Sequence, residues 1–170
     1  MENLFVKNPH KIWNLRKKLE KTLDVKLIQD NEGIHIEGEG INEYGASLVL
    51  DAIDIGFNPR VALLLKDPDY MMEKINLKNY VRISRLNTVR GRIIGREGKA
   101  KNQLAQLTDC EIVVYDSTIA ILGLTEDVDV ASKAIRSLIK GSPHTSVFQY
   151  LEKARKIKKE KELLGIEDKI

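Results

Sequence analysis

The chain is nearly without cysteine: Cys110 stands alone in 170 residues, so neither an internal disulfide framework nor a cysteine-based zinc site can be built from it. A lone thiol suits a reducing compartment, and a cytoplasmic location is expected. Long apolar runs are lacking as well. The longest, residues 61–65, falls far short of the roughly 20 residues a spanning helix requires. At the N-terminus Leu4, Phe5 and Val6 give way at once to Lys7, Asn8 and Pro9, which leaves no apolar segment for a signal peptide. A soluble protein with no membrane partner is expected.

The motifs of the commoner chemistries are also missing. Gly95-Arg96-Glu97-Gly98-Lys99-Ala100 has too few residues between its glycines for a nucleotide-triphosphate loop and ends in alanine where a hydroxyl is needed. Gly38-Glu39-Gly40 begins a dinucleotide fingerprint, but Glu43 occupies the third glycine position. His10, His35 and His144 are scattered without a second ligand at helical spacing, so no metal is expected. No Ser-His-Asp or Cys-His arrangement can be assembled locally, and Cys110, at the margin of an apolar strand, reads as a small core residue. The expectation is a protein that is not an enzyme and takes no cofactor.

What is present is charge in one place and a repeat. The formal net charge is only +3, yet Arg82, Arg85, Arg90, Arg92, Arg96, Lys99 and Lys101 stand against Glu97 as the one acid between them. Sliding the sequence over itself by 85 residues lays residues 25–38 on residues 110–123; in both, apolar and alternating runs flank a polar turn, the pattern of a β-hairpin. Charged helical stretches precede both hairpins, at 13–23 and 98–108. Helix-period segments follow, with Ala46, Val49, Leu50 and Ile53 falling on Ala131, Ala134, Ile135 and Leu138. Strand-like lead-ins are read at 4–7 and at 80–86, where Val81 and Ile83 alternate with polar residues. Residues 56–77 read as short connecting helices, with Asn58 as cap and Pro59 at the first helical position. Gly141 stops a helix, and Ser142 and Pro143 are read as N-cap and first residue of another. Its apolar face is Val147, Tyr150, Leu151, Ala154 and Ile157; Lys153, Arg155, Lys156, Lys158, Lys159 and Lys161 load the rest. That helix reads as a solvated packing helix, with a second contact surface for an anionic ligand as the alternative.

The most informative segment is residues 90–101. Two glycines spaced as in Gly95-Arg96-Glu97-Gly98, between an apolar helical turn and an amphipathic helix, let a phosphate approach the backbone, and the helix N-terminus adds free N–H groups and a favourable dipole. Arg90, Arg92, Arg96, Lys99 and Lys101 make the segment basic, and Ile93 and Ile94 form an apolar floor for a base. Glu97 sits in a first helical turn, where a carboxylate is favourable, and points away from the RNA. Backbone groups of the following edge strand, at Ile112 and Val114, meet the base edges held against the floor. The spacing alone is weak; in the order strand, helix, loop, helix, hairpin, helix it is the single-strand clamp of a KH module. In the first copy the same offset puts His10 and Trp13 where Gly95 and Gly98 stand, so that copy reads as a degenerate packing partner with Trp13 in its core.

These residues resemble a family, the archaeal two-KH-domain proteins of small-subunit ribosome assembly related to the factor called Dim-two or partner of Nob. The likeness lies in residues 89–98, 56–63, 75–77 and the block that opens Gly141-Ser142-Pro143-His144. The repeat and the module order predict an α+β fold of two tandem type I KH (βααββα) domains, packed against each other as a pseudo-symmetric body with the last helix crossing between them: 1–76 degenerate, 77–141 carrying the loop, and 142–170 a basic amphipathic C-terminal helix. The resemblance adds the ligand and the contacts. It implies RNA contact through Arg92, Ile93, Ile94, Gly95, Arg96, Gly98 and Lys99. It further implies single-stranded rRNA of the small-subunit 3′ region as ligand, with the Nob endonuclease and the α subunit of initiation factor two as partners. Against the family pattern, His10-Lys11-Ile12-Trp13 replaces the glycine loop that archaeal relatives can keep in the first domain. Other KH classes, exosome-like or transcript-binding, share the clamp without the 141–144 block, and a KH-fold protein scaffold is a further alternative.

Overall fold

An alternating strand in the first hairpin and a near-continuous apolar strand in the second give each half of the chain a three-stranded sheet, and the helical-period segments after them cover it. The structure is a computed structural model that describes residues 2–4 and 6–165, the first three by backbone alone. It divides into two units between Met72 and Glu73. The first runs β1 (Glu2–Leu4), α1 (Pro9–Asn14), α2 (Arg16–Leu23), β2 (Lys26–Gln29), β3 (Ile34–Glu37) and α3 (Gly40–Ile55), followed by α4 (Pro59–Ala62) and a 3-10 turn over Leu63–Lys66. The second runs β4 (Tyr70–Asn76, its first three residues lying before that division), α5 (Leu86–Ile94), α6 (Lys99–Thr108), β5 (Glu111–Tyr115), β6 (Thr118–Leu124), α7 (Thr125–Lys140) and α8 (His144–Leu163). Sheet orders are β1-β3-β2 and β4-β6-β5, so strand, helix, helix, strand, strand, helix occurs twice with one topology.

In the first unit Ile34 and Ile36 are buried while His35 and Glu37 between them are half-buried, the period of a one-sided strand. The hairpin is closed by Asp30, whose Oδ1 accepts from the amides of Glu32 at 2.7 Å and Gly33 at 3.2 Å. Ala46, Val49, Leu50 and Ile53 form the buried stripe of α3, as Ala131, Ala134, Ile135 and Leu138 do in α7. The repeat also places Gly38 against Val25 and Gly123 against Cys110: a Cβ on either glycine would come within 3.0 Å and 2.8 Å of those side chains. Cys110 is buried, and burial pushes its thiol up to about 12, so it is a core residue.

Three sequence expectations move. The lead-in strand of the second unit is β4, not residues 80–86; the Asn76 side chain accepts from the Lys78 amide at 3.0 Å and ends the strand in a turn. Residues 80–86 are mostly helical turn instead, Ile83–Arg85 being 3-10, and Ile83 is 81% exposed: its alternation with polar residues marks no sheet face. The sheet of the second unit therefore begins before residue 77. The lead-in read at 4–7 is β1 at Glu2–Leu4, with Phe5 outside the described residues. The 56–77 connection is helical only in its first half, over Pro59–Lys66, since Tyr70–Asn76 is β4; there Asn58 does cap α4, accepting from the Arg60 amide at 2.9 Å.

The last helix starts one residue later than expected, with Pro143 rather than Ser142 at its N-cap. Val147 and Leu151 are buried and α8 packs on α6 and α7, but Tyr150 and Ile157 are exposed and leave its apolar face. Part of its basic face is tied down. Arg155 donates to the Gln106 carbonyl at 2.6 Å, and Lys158 meets both carboxylate oxygens of Asp127 at 2.7 and 2.8 Å.

Candidate nucleic-acid interface

Helix α5 ends because the chain must turn at Gly95, whose φ of 73° and ψ of 175° are open essentially to glycine alone. The turn also brings it against the next helix: a Cβ on Gly95 would lie 2.6 Å from the Ala100 Cβ and 2.8 Å from the Ala100 amide nitrogen. Glu97 (φ 54°) and Gly98 (φ 75°) continue in left-handed conformations, and α6 starts at Lys99. At Gly98 an added Cβ meets nothing closer than the Asn102 amide at 3.9 Å. One glycine is thus required by packing; the other leaves an open face at the start of a ten-residue helix, where the positive end of the dipole attracts an anion, although the Gly98 and Lys99 amides themselves donate to the Gly95 and Arg96 carbonyls.

Around this turn Arg96 and Lys99 are exposed, as are Arg82 and Arg85 upstream, and Arg90 is half-buried. Glu97 is solvent-facing and 3.9 Å from Lys99, both side chains 77% exposed, so the pair is loose and leaves the lysine available. The edge strand of the sheet is β5. Its Ile112 carbonyl accepts from Lys101 Nζ at 3.4 Å, so that carbonyl faces the open side; by the alternation of an antiparallel ladder Val114 presents its backbone the same way. Backbone groups at the two predicted positions of β5 therefore lie on the free edge beside α6, though the Ile112 side chain itself is buried.

Two residues predicted as contacts have side chains that sit away from the open face of the loop. Ile93 is fully buried and serves the core, so Ile94, half-buried, is the isoleucine left for an apolar floor. Arg92 turns from the loop: its Nη2 donates to the Ser142 carbonyl at 2.8 Å, while its own carbonyl is met by His144 Nε2 at 2.8 Å. The sequence reading missed Ala100, Ser142 and His144. The 141–144 block was visible as a helix stop, but nothing local in it points to α5.

In the first unit the clamp is absent for a different reason than the constant offset suggests. His10 and Trp13 lie inside α1, the counterpart of α5, and Leu15 alone separates α1 from α2 where four residues separate α5 from α6. Trp13 is half-buried rather than core, with the Arg16 guanidinium 4.5 Å from its ring centroid. Among the described residues, no group of three or more His, Cys, Asp or Glu is placed to hold a metal, and no helix is long and apolar enough to cross a membrane.

Comparison with known proteins agrees with this geometry. A family model described as eukaryotic type KH-domain (KH-domain type I), built on the second domain of PNO1, matches residues 71–156. A KH domain-containing protein of Methanocaldococcus jannaschii is 35% identical over 154 residues, covering 86% of this chain and 68% of that one. The pre-rRNA-processing protein PNO1 of Debaryomyces hansenii is 31% identical over 143 residues, covering 82% of this chain; the match spans only 56% of that longer protein. Among solved structures, a complex of a/eIF2α, aDim2p and rRNA from Pyrococcus horikoshii contains a chain that superposes with a TM-score of 0.77 at 32% identity, covering 88% of this chain and 86% of that one.

Proposed function

The chain belongs to the eukaryotic-type KH-domain family (KH-domain type I), and from that footing we propose that it is an RNA-binding ribosome-assembly factor. Its second unit holds the single-stranded 3′ region of small-subunit rRNA during pre-rRNA maturation. The observation that carries this reading is the Gly95-Arg96-Glu97-Gly98 turn, which opens α6 beside the free edge of β5. A phosphate sits over Gly98 and the first amides of α6, with Arg96 and Lys99 as counter-charge. The following base rests on Ile94, its edge read by the backbone of Ile112 and Val114. Arg90 and Lys101 flank the track. The chain acts by holding RNA, without a bond-breaking step of its own and without a cofactor.

The P. horikoshii complex supports rRNA and the α subunit of initiation factor two as partners; the Nob endonuclease is a partner that the family resemblance alone implies. For the first unit the single residue Leu15 between α1 and α2 favours a second reading, a KH fold kept for packing or protein contact.

The test is fluorescence-anisotropy binding of a single-stranded oligonucleotide from the 3′ end of small-subunit rRNA against a scrambled control. Gly98→Asp is the variant of choice, because its side chain enters open space, whereas any side chain at Gly95 disturbs α6. Preference for the rRNA end in the wild type, lost in a Gly98→Asp protein that melts as a folded domain, supports the reading. Equal binding by the variant moves the RNA elsewhere on the chain.

A further inference from the structure

Helix α7 ends in a paired motif: the Gly141 amide donates to the Leu138 carbonyl and the Ser142 amide to the Ser137 carbonyl, at 3.1 and 3.0 Å. That turn leaves the Ser142 carbonyl facing outward at the negative end of a 16-residue helix, a favourable place for a cation. Arg92 of α5 occupies it, its Nη2 on the Ser142 carbonyl and its Nη1 above Gly141, 3.9 Å from where a Cβ would stand. The Arg92 carbonyl, for its part, belongs to the last turn of α5. The final helical bond there runs from the Gly95 amide to the Gly91 carbonyl, so the carbonyls beyond it need partners from outside the helix. His144 supplies one. A carbonyl only accepts, so the ring nitrogen Nε2 carries the proton, and the ring is held against Phe148 at 6.0 Å between centroids.

Resting on the RNA-binding reading above, we infer that Arg92 and His144 are positioning residues of the clamp. Together they latch the C-terminus of α5 to the α7–α8 turn and so fix the direction in which the chain enters Gly95. Arg92, basic and next to the loop, is then no phosphate ligand, and the start of α8 is a working part of the RNA-binding unit.

Two readouts on the full chain separate this from a direct contact: amide hydrogen exchange at residues 93–98, and oligonucleotide affinity as a function of salt. His144→Ala is expected to raise exchange in the last turn of α5 about two- to tenfold, the scale of one lost hydrogen bond, and to weaken RNA binding by a similar factor. The slope of log affinity against log salt stays that of the wild type. Arg92→Ala behaves the same, the double variant is no worse than either single one, and His144→Gln, whose amide also donates, restores both readouts. Arg96→Ala is the contrast, losing about 0.7 of slope as one phosphate contact on a single strand requires. The inference is overturned if Arg92→Ala loses that slope, if His144→Ala leaves exchange at 93–98 unchanged, or if exchange rises evenly through the second unit. Should the wild type fail to prefer the rRNA end, the functional reading falls, and exchange at 93–98 still decides the latch.

Discussion

A methyl group at Gly95 would meet Ala100 at 2.6 Å and also needs a backbone conformation closed to side chains, so Gly95→Ala is expected to lower stability by about 1–3 kcal/mol in urea titration, more if α6 shifts. Gly98→Ala has only the left-handed conformation against it and is expected to cost about 1 kcal/mol, with a folded protein in which binding can be measured. A third residue-level expectation concerns Cys110. Burial raises its thiol from 9.0 to about 12, which means the folded state keeps the proton that the unfolded chain releases. The stability this contributes is complete below about pH 9 and is lost as pH rises towards 12, and Cys110→Ala should flatten that part of the pH–stability curve. Thiol reagents at pH 8 should label Cys110 only at the rate of unfolding.

At the scale of elements, α8 is held by apolar packing at Val147 and Leu151 and by the Lys158–Asp127 pair, in which Asp127 is buried and the lysine side chain 27% exposed. Burial alone would weaken the lysine's charge; the hydrogen bonds and field of Asp127 outweigh it and raise its pKa. Lys158→Met, which leaves a buried carboxylate without its cation, is expected to cost about 1–2 kcal/mol in thermal or urea unfolding. Most of this level was legible in the sequence. The first hairpin and the α3 and α7 stripes are written as local periods, the second hairpin as an apolar run after a polar turn, and such local signals survive into the fold. The lead-in strand of the second unit was not legible, since Val81 and Ile83 alternate as a strand would while Asn76 has already turned the chain. The roles of Arg92 and His144 were hidden for a related reason: 52 residues separate the partners, and no local pattern encodes a capping bond at that distance.

Over the whole molecule, charge is segregated by position in the chain. Residues 27–59 contain no lysine or arginine but seven acids, Asp30, Glu32, Glu37, Glu39, Glu43, Asp51 and Asp54, while residues 82–101 hold seven basic residues and one acid. Residues 7–26 of the first unit are basic too, with seven lysines and arginines against Glu20 and Asp24, but the strand of the proposed reading needs the Gly95–Gly98 turn of the second unit. Lys17→Gln and Lys18→Gln, exposed on α2 of the first unit, are therefore expected to leave both affinity and salt slope for the rRNA oligonucleotide unchanged. A loss of slope in either would put RNA on the first unit. The two units differ more deeply in the joint between their first helices. With Leu15 alone in that joint, no single codon change gives the first unit a clamp, because residues have to be added before any glycine can work there. A phosphate-binding turn in the first unit is thus out of reach of ordinary point mutation, and substitutions on the surface of that unit leave the joint between α1 and α2 too short to form one.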